Sequence, residues 1–265
     1  MGNLYFPQLS SGALVQYPIK KTRLVRTIKN VLPDGTMVLL ADPDGAHLLW
    51  QLGYTELAPN DVTALQNHFS ACSGAYRAFT FIDPTDNMLT ASADLTNAAW
   101  QKSSLIEVAA GAADPNGGTT AFTLTNTGQA SQEISQTLNV PANYQYCFSL
   151  YAMASQADAL TLIRRGPSSA ESMPWALSSV WTRLVSSGQI NDSGATFTIA
   201  LSLAPGQRVQ VFGPQLEIQR APSRYRATMQ AGGVYPSAHW GMDQLTISAD
   251  APNLFSTALT IETAL

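Results

Sequence analysis

Charged residues are scarce in this sequence. Asp, Glu, Lys and Arg make up 12% of its 265 residues, and 14 basic against 18 acidic side chains give a formal net charge of −4. No part of the chain is basic enough to predict nucleic-acid binding. Uncharged polar and small residues fill the gap, which is typical of proteins built from many short strands. Few Lys and Glu also suit a subunit of an assembly, because interface cores are depleted in them.

The motifs of common enzymes are absent. The three histidines, His47, His68 and His239, have no metal-ligand spacing, and no HExxH, CxxC, P-loop, dinucleotide fingerprint or nucleophile elbow is present. Most acids of the central segment lie in or next to predicted turns, where they serve backbone geometry rather than a glycosidase pair. We therefore expect no enzymatic activity and no cofactor, and we keep a hydrolase as the third of three hypotheses.

Cysteine and long apolar runs are scarce too. Cys72 falls on a predicted helix and Cys147 on a predicted strand, both near aromatic residues, which predicts two buried free thiols and agrees with a reducing cytoplasm. No apolar run is long enough to cross a bilayer, and the N-terminus lacks the basic and apolar segments of a signal peptide. We expect no membrane insertion.

The first 83 residues predict a compact α+β unit. Residues 15–28 read as a strand, a Pro-Asp-Gly turn follows at 33–35, and 37–40 read as a short buried strand before a second such turn at 42–45. Alternating large apolar residues then predict a strand with one buried face: Leu48, Trp50, Leu52 and Tyr54.

A helix follows this strand. Pro59 suits its first turn, Gly74 suits its end, and four residues share one face at helical spacing: Val62, Leu65, Phe69 and Cys72. Residues 76–82 predict the next strand, which Asp83-Pro84 ends.

A basic stretch within the first strand has two interpretations. Five positive charges lie in ten residues: Lys20, Lys21, Arg23, Arg26 and Lys29. Lysine-rich edge strands resist unwanted pairing, so a solvated edge strand is the simpler interpretation. The second interpretation is an oligomer interface that faces the 228–265 segment of a neighbouring copy, since that segment has three acidic residues and no Lys or Arg.

Residues 84–227 have a different composition and pattern. Strand-length segments alternate with Gly, Asn and Ser turns about every ten residues, which predicts a jelly-roll β-sandwich. The last forty residues predict short strands at 244–248 and 258–262, too little chain to fold alone. The prediction is a mainly β protein: a discontinuous α+β base domain of residues 1–83 and 228–265, consisting of a sheet or barrel with one helix, and the sandwich inserted into it.

Two stretches resemble known families. The run from Trp50 to Leu57, the helix after it, and Phe79 to Pro84 resemble the base domain of phage distal tail and minor tail proteins. This resemblance implies a structural subunit of the virion tail that assembles in the host cytoplasm. Such subunits typically form a six-fold ring that joins the tail tube to the tail hub.

The second resemblance is to carbohydrate-binding-type jelly rolls. It rests on Asn87-Met88-Leu89, the run from Asp94 to Trp100, the run from Asp114 to Thr119, and the closing Gln215-Leu216-Glu217-Ile218 with Ser223-Arg224-Tyr225. Such modules are often appended to phage tail proteins. The resemblance implies an outward-facing domain, and a calcium ion near Asp94 and Glu217 unless, as we favour, both carboxylates only cap turns.

Sugar binding is the functional hypothesis for the sandwich, because sugars stack their C–H faces on aromatic rings. Trp100 and Trp181 are expected in the core. Trp175 is the better platform, since it lies in a predicted loop over 166–179 beside Pro174 and after Arg164 and Arg165; Tyr144 is the second candidate. Arg164 and Arg165 are the candidate polar contacts to the sugar. A host-surface glycan would be the ligand. A stand-alone glycan-binding protein is the alternative to a ring-forming tail protein.

Overall fold

The computed structural model describes residues 3–156 and 158–265. These residues form one helix and sixteen strands: β1 (Ile19–Val31), β2 (Met37–Leu57), α1 (Pro59–Cys72), β3 (Phe79–Ile82), β4 (Gln101–Lys102), β5 (Ile106–Ala112), β6 (Ala121–Asn126), β7 (Gln132–Leu138), β8 (Tyr146–Met153), β9 (Asp158–Arg165), β10 (Ala170–Leu177), β11 (Thr182–Gly188), β12 (Phe197–Leu203), β13 (Arg208–Glu217), β14 (Val234–Trp240), β15 (Ser248–Ala251) and β16 (Leu254–Ala264).

The chain divides into two compact units. The first contains Met1–Phe81 and Tyr235–Leu265, and the second contains Ile82–Val234. The junctions therefore lie within β3 and next to the start of β14, whereas the sequence placed them at 83/84 and 227/228. Among the described residues, no helix combines the length and apolar character that a membrane span requires.

The first unit is a six-stranded sheet with one helix. The strand order is β1-β2-β16-β14-β3, and β15 pairs with β16 as a hairpin. Antiparallel pairing joins β2 to β16 from Phe255–Leu57 to Ala264–His47. The predicted alternation in β2 is confirmed, because the four apolar residues are at most 6% exposed: Leu48, Trp50, Leu52 and Tyr54.

Three predictions for this unit are wrong. Residues 37–40 are a largely exposed part of β2, not a short buried strand. Residues 42–45 continue β2 through a bulge, where one β1 residue opposes four β2 residues, rather than forming a turn. Gly45 fits a bulge because an added Cβ would lie 2.7 Å from Cβ of Arg26. Residues 244–247 are irregular, and β15 begins only at Ser248.

The helix packs its buried face into an aromatic cluster. Its predicted start at Pro59 is confirmed, and its C-cap, Ser73, adopts a left-handed backbone with φ 53°. Trp240 Nε1 donates a hydrogen bond to Nδ1 of His68 (3.2 Å), and Phe6 and Phe79 also contact the imidazole ring. Burial in these rings lowers the pKa of His68 to about 4.

The second unit is a β-sandwich. One sheet has the order β10-β9-β12-β7-β4 and the other β11-β8-β13-β6-β5, and the strand pairs within both are antiparallel. Large apolar residues of both sheets fill the space between them, among them Phe148, Leu150, Phe197 and Leu201. The predicted fold class, mainly β with a jelly-roll sandwich, is confirmed.

Several single-residue predictions can be compared with the structure. Cys72 and Cys147 are both buried free thiols, as predicted. Trp100 is 1% exposed and its Nε1 donates to the Ala91 carbonyl (3.1 Å), which confirms its place in the core. Trp181 is only half-buried, so its predicted core position is wrong.

Acid should destabilise the first unit through His68. Its imidazole is buried neutral, so its contribution is complete above the unfolded pKa near 6.5 and is lost as the pH falls from 6.5 to about 4. We expect this loss to reach ~3 kcal/mol in the free energy of unfolding. In His68→Gln, whose amide oxygen can still accept from Trp240, that part of the pH dependence should vanish.

Urea denaturation at pH 7 and pH 4, with hydrogen exchange of α1 amides as the local readout, measures the effect. His47→Gln is the control, since His47 is exposed. Equal acid sensitivity of wild type and His68→Gln would contradict the assignment.

Candidate functional site

The first unit carries a projecting two-stranded arm, which we define as residues 24–45. β1 is the edge strand of the sheet, and β16 pairs with β2 only as far out as His47. Beyond that point β1 and β2 pair only with each other, from Arg26–Asp42 to Val31–Met37. At about 3.3 Å per residue, the arm extends roughly 25 Å from the sheet.

A short turn closes the tip of the arm. The Leu32 amide donates to the Thr36 carbonyl (2.8 Å), and Gly35 has φ +83°, a conformation that glycine adopts without strain. The Asp34 carboxylate accepts a hydrogen bond from the Thr36 amide (2.8 Å), and this bond lowers the pKa of Asp34. The tip is therefore locally specified although nothing packs on it within the chain's described residues.

Apolar side chains are exposed on both faces of the arm. Of the sixteen large hydrophobic side chains that are exposed among the described residues, eight lie between 24 and 40: Leu24, Val25, Ile28, Val31, Leu32, Met37, Leu39 and Leu40. In strand pairs, residues opposite each other share a face. Ile28 and Leu40 therefore lie on one face, and Val31 and Met37 on the other.

This geometry is unfavourable for an arm surrounded by water. A two-stranded ribbon is marginally stable alone, and its free edges and apolar patches favour association. The arm can therefore act as a docking element that becomes buried against another surface.

Four of the five basic residues interpreted as an edge strand or an oligomer interface have separate environments. Nζ of Lys21 lies 5.7 Å from the ring centroid of Trp50, and Arg26 forms an ion pair with Asp42. Lys20 lies opposite Gln51 and Arg23 opposite Leu48, both exposed on the edge strand. Because β1 is the edge of the sheet, these positions agree with the solvated-edge interpretation, and they do not exclude a contact with another copy.

Sequence reasoning missed the aliphatic residues of the arm. The apolar composition of 37–40 predicts a buried strand, but these residues are largely exposed. A signal was present, since residues 24–31 mix aliphatic and basic residues with no period-two alternation, which argues against one buried face.

In the sandwich, Trp175 lies on a strand, not in the predicted loop. It belongs to β10, the edge strand of its sheet, where it pairs with Leu160. The residue is half-buried, and its Nε1 atom is inaccessible and has no hydrogen-bond acceptor among the described residues. Exposed Pro174 and Met173 flank it. Tyr144 is half-buried in the turn before β8, with its ring 6.4 Å from that of Tyr146.

Arg164 lies inside the sandwich and not at a ligand surface. It is 4% exposed, and its guanidinium donates to Oγ of Ser186 (2.8 Å) and to the carbonyls of Gly188 (2.6 Å) and Ser187 (3.3 Å). These partners belong to β11 of the opposite sheet. Burial lowers the pKa of Arg164, partly offset by Glu171. The proposed sugar contact is therefore corrected to a link between the two sheets.

Arg165 points the other way. Neighbouring residues of a strand alternate between its faces, and Trp175 shares the face of Leu160 and Arg164, so Arg165 lies on the opposite face of the sheet from Trp175. Its guanidinium forms an ion pair with Glu133 (2.8 Å). The structure therefore does not bring Trp175, Arg164 and Arg165 together around one ligand.

We expect Arg164→Met to destabilise the sandwich by about 3 kcal/mol, because two carbonyls and a hydroxyl lose a buried charged donor. The matched control is Arg165→Met, which removes a partly exposed ion pair and should cost less than ~1 kcal/mol. Thermal or urea unfolding of both variants measures the difference. Equal losses would show that the inter-sheet bonds of Arg164 contribute little.

The two carboxylates of the implied calcium site each close a local turn. Asp94 accepts hydrogen bonds from the amide (2.9 Å) and hydroxyl (2.6 Å) of Thr96, which lower its pKa. Glu217 accepts from the Ser223 amide (3.0 Å) and from Gln219 (2.8 Å). In the described parts of the chain, no group of three or more His, Cys, Asp or Glu side chains is arranged to hold a metal ion.

Comparison with solved structures finds carbohydrate-binding modules and a domain of a phage tailspike protein. The chain is similar to a TmCBM61 structure in complex with β-1,4-galactotriose (14% identity, 47% of this chain, 90% of that chain, TM-score 0.36). It is also similar to the CBM22-1 xylan-binding domain of Paenibacillus barcinonensis Xyn10C (16% identity, 50% and 94%, TM-score 0.39) and to bacteriophage CBA120 tailspike protein 4 (12% identity, 52% and 22%, TM-score 0.41).

Similarity at this level concerns general fold and assigns neither ligand nor activity. No protein-family model and no curated protein sequence matches the chain.

Proposed function

We propose that this chain is a structural subunit of a bacteriophage or phage-like tail and not an enzyme. Several copies form a ring, a hexamer between tail tube and tail hub, and the sandwich lies at the periphery. In this proposal the ring assembles in the host cytoplasm and works in the virion tail. The observation that carries the assembly is the arm, and the position in the tail rests on the resemblance of residues 50–84 to distal tail proteins.

The energy of burying the arm is of the right size for association. An apolar surface of about 50 Å² on each of eight half-exposed side chains, at ~25 cal/mol per Å², gives ~10 kcal/mol per interface. Association costs several kcal/mol of lost freedom and ordering. The remainder corresponds to a weak contact, which a closed ring strengthens because each subunit makes two contacts at once.

The wild-type protein should be a homo-oligomer, with six times the 28.3 kDa chain mass expected for the hexamer. Val31→Asp places a charge on the arm and should raise the dissociation midpoint at least tenfold. Val180→Asp is the matched control, since Val180 in the sandwich is 67% exposed and Val31 68%.

Mass photometry and light scattering over a concentration series measure both variants. A wild-type protein that stays monomeric at high concentration would refute the ring. Equal effects of the two valine substitutions would refute the role of the arm.

The sandwich is proposed to contact host-surface glycans, and a stand-alone glycan-binding protein is the second candidate function. The observation in favour is the accessible part of the half-buried Trp175 indole on edge strand β10, which lies on the face of Leu160 and is flanked by exposed Met173 and Pro174. An indole face on an open strand edge suits stacking against a pyranose.

Trp175→Ala should therefore abolish glycan-array binding, whereas Trp181→Ala, at another half-buried tryptophan, should retain it. Binding by a protein that remains monomeric would favour the second function over the ring. Unchanged binding by Trp175→Ala would remove Trp175 from the site.

A further inference from the structure

The arm is bounded by two open strand edges. β1 is the last strand of its sheet, so no described strand lies along its outer edge over Ile19–Val31. On the other side, β16 pairs with β2 only as far as His47, which leaves the edge of β2 open over residues 37–45. Alternate residues of each strand direct their amide and carbonyl groups toward these edges. Each edge can therefore add a further strand.

The two edges carry charges of opposite sign. Residues 19–31 of β1 contain five basic side chains and no acidic one. Residues 34–46, which include the outer half of β2, contain no Lys or Arg and three aspartates: Asp34, Asp42 and Asp44. The Arg26–Asp42 pair is internal to the arm and takes one charge from each strand, so the contrast remains.

This contrast selects between the possible pairings of two copies. Pairing β1 with β1 sets basic side chains against basic ones, and pairing β2 with β2 sets acidic side chains against acidic ones, which is unfavourable across a strand pair. The combination that charge favours is β1 of one copy with β2 of another. A second copy of this chain supplies both edges.

A ring allows this combination with regular geometry. β1 runs outward along the arm and β2 returns, so the two strands are antiparallel within one copy. When the arms lie along the ring axis, rotation leaves their direction unchanged. β1 of the next copy then runs antiparallel to β2, and the same kind of ladder continues between copies.

Two constraints limit the register of the added strand. The first is β16, which occupies the edge of β2 from His47 inward, so Ile19 of the incoming β1 must lie on the tip side of His47. The second is the face of the sheet. Ile28 and Leu40 share one face of the arm, and Leu24 lies on the face of Ile28 because an even number of residues separates them. Rotation about the ring axis keeps this face continuous, so the incoming Leu24 and Leu40 must share it.

The register nearest the base of the arm that meets both constraints places Leu24 opposite Leu40 and Val25 opposite Leu39. These four side chains are between 47% and 70% exposed in a single copy. The pairing therefore brings exposed aliphatic side chains together on both faces of the sheet.

The same register brings Lys20 of the incoming strand near Asp44. The basic start of β1 thus meets the acidic part of β2. A register two residues closer to the base would place Ile19 opposite His47, which already pairs with Ala264 of β16.

We propose that β1 of one copy adds to the open edge of β2 in the next copy, with Leu24 beside Leu40 and Val25 beside Leu39. The inference rests on the proposed ring and names its interface. The two edges are different surfaces, so the contact is head-to-tail and generates a ring when the rotation closes. The aliphatic contacts stabilise the pairing, and the charges disfavour pairing of like edges.

Single cysteines test this pairing directly. Opposed residues of antiparallel strands have Cα atoms about 4.5–5.5 Å apart, which is within disulfide range. Val25→Cys and Leu39→Cys each supply one half of the pair, so an equimolar mixture that is dissociated by dilution, reconcentrated and mildly oxidised should form a covalent dimer. The native thiols, Cys72 and Cys147, are buried and should not compete.

Val31→Cys mixed with Leu39→Cys is the matched control. Val31 is 68% exposed and Val25 70%, and both lie on β1, but they are six residues or roughly 20 Å apart. We expect at least tenfold more covalent dimer from the Val25→Cys mixture than from the Val31→Cys mixture, measured by non-reducing electrophoresis and intact mass spectrometry.

A charge exchange tests the selection of the edges. Lys20→Asp should raise the dissociation midpoint at least threefold, because it sets a negative charge near Asp44 of the neighbour. Addition of Asp44→Lys to the same chain should restore the wild-type midpoint. A loss that Asp44→Lys does not reverse would refute the contact between these residues.

The outcomes of cross-linking separate this interface from the ring itself. Covalent dimers from Val25→Cys alone or from Leu39→Cys alone would show pairing of like edges and would refute the head-to-tail contact. A wild type that assembles, while the Val25→Cys mixture gives no more covalent dimer than the control, would refute this interface and leave the ring intact. A monomeric wild type would refute both.

Discussion

The pairing of β2 with β16 is the constraint on which the first unit depends. β16 contributes Leu259 and Ile261 to the interior, opposite the apolar residues of β2, and its backbone covers the inner part of the β2 edge. Without it, the buried face around Trp50 would open to water and the helix would lose a support for its aromatic cluster. Residues far apart in sequence therefore hold this unit together, with long loops to close during folding.

The arm exists because β16 is shorter than β2 and covers only part of it. β2 runs for 21 residues, but its pairing with β16 ends at His47, so the rest extends beyond the sheet with β1 as its sole partner. One strand thus contributes both to the core and to an exposed surface. Exposed aliphatic residues on both faces of a free ribbon are unfavourable in a monomer. Burial of the ribbon between copies, as proposed, would remove this exposure.

The difference between the covered and the free part of β2 also explains which elements could be predicted from the sequence. Alternation at Leu48 to Tyr54 and the cap residues around α1 are local signals, and the elements they predict are present. Met37 to Leu40 are as apolar as a core strand, yet burial depends on what packs against a strand. No local pattern reports whether such a packing element is present. The turn predicted at 42–45 is wrong for a related reason, because glycine fits a bulge as well as a turn.

In the sandwich, the errors trace to strand order. Pro174 argued for a loop around Trp175, but an edge strand tolerates proline because one side of it donates no ladder hydrogen bonds. Arg164 next to Arg165 resembled an exposed basic pair. Alternation sends one inward and one outward, and the inward partners lie on β11, more than twenty residues away. A polar residue on a buried face is recognisable only when the strand's register is known.

The charges of the arm are nearly balanced, with Arg26 and Lys29 against three aspartates: Asp34, Asp42 and Asp44. This balance gives no attraction to the acidic 235–265 segment, so association through the arm depends on its exposed aliphatic residues. Within the arm, the Arg26–Asp42 pair and the charged Lys29 interrupt the aliphatic run, as gatekeeper residues do in strands prone to aggregate. Because only 12% of the sequence is charged, each of these residues has a large share of the local charge.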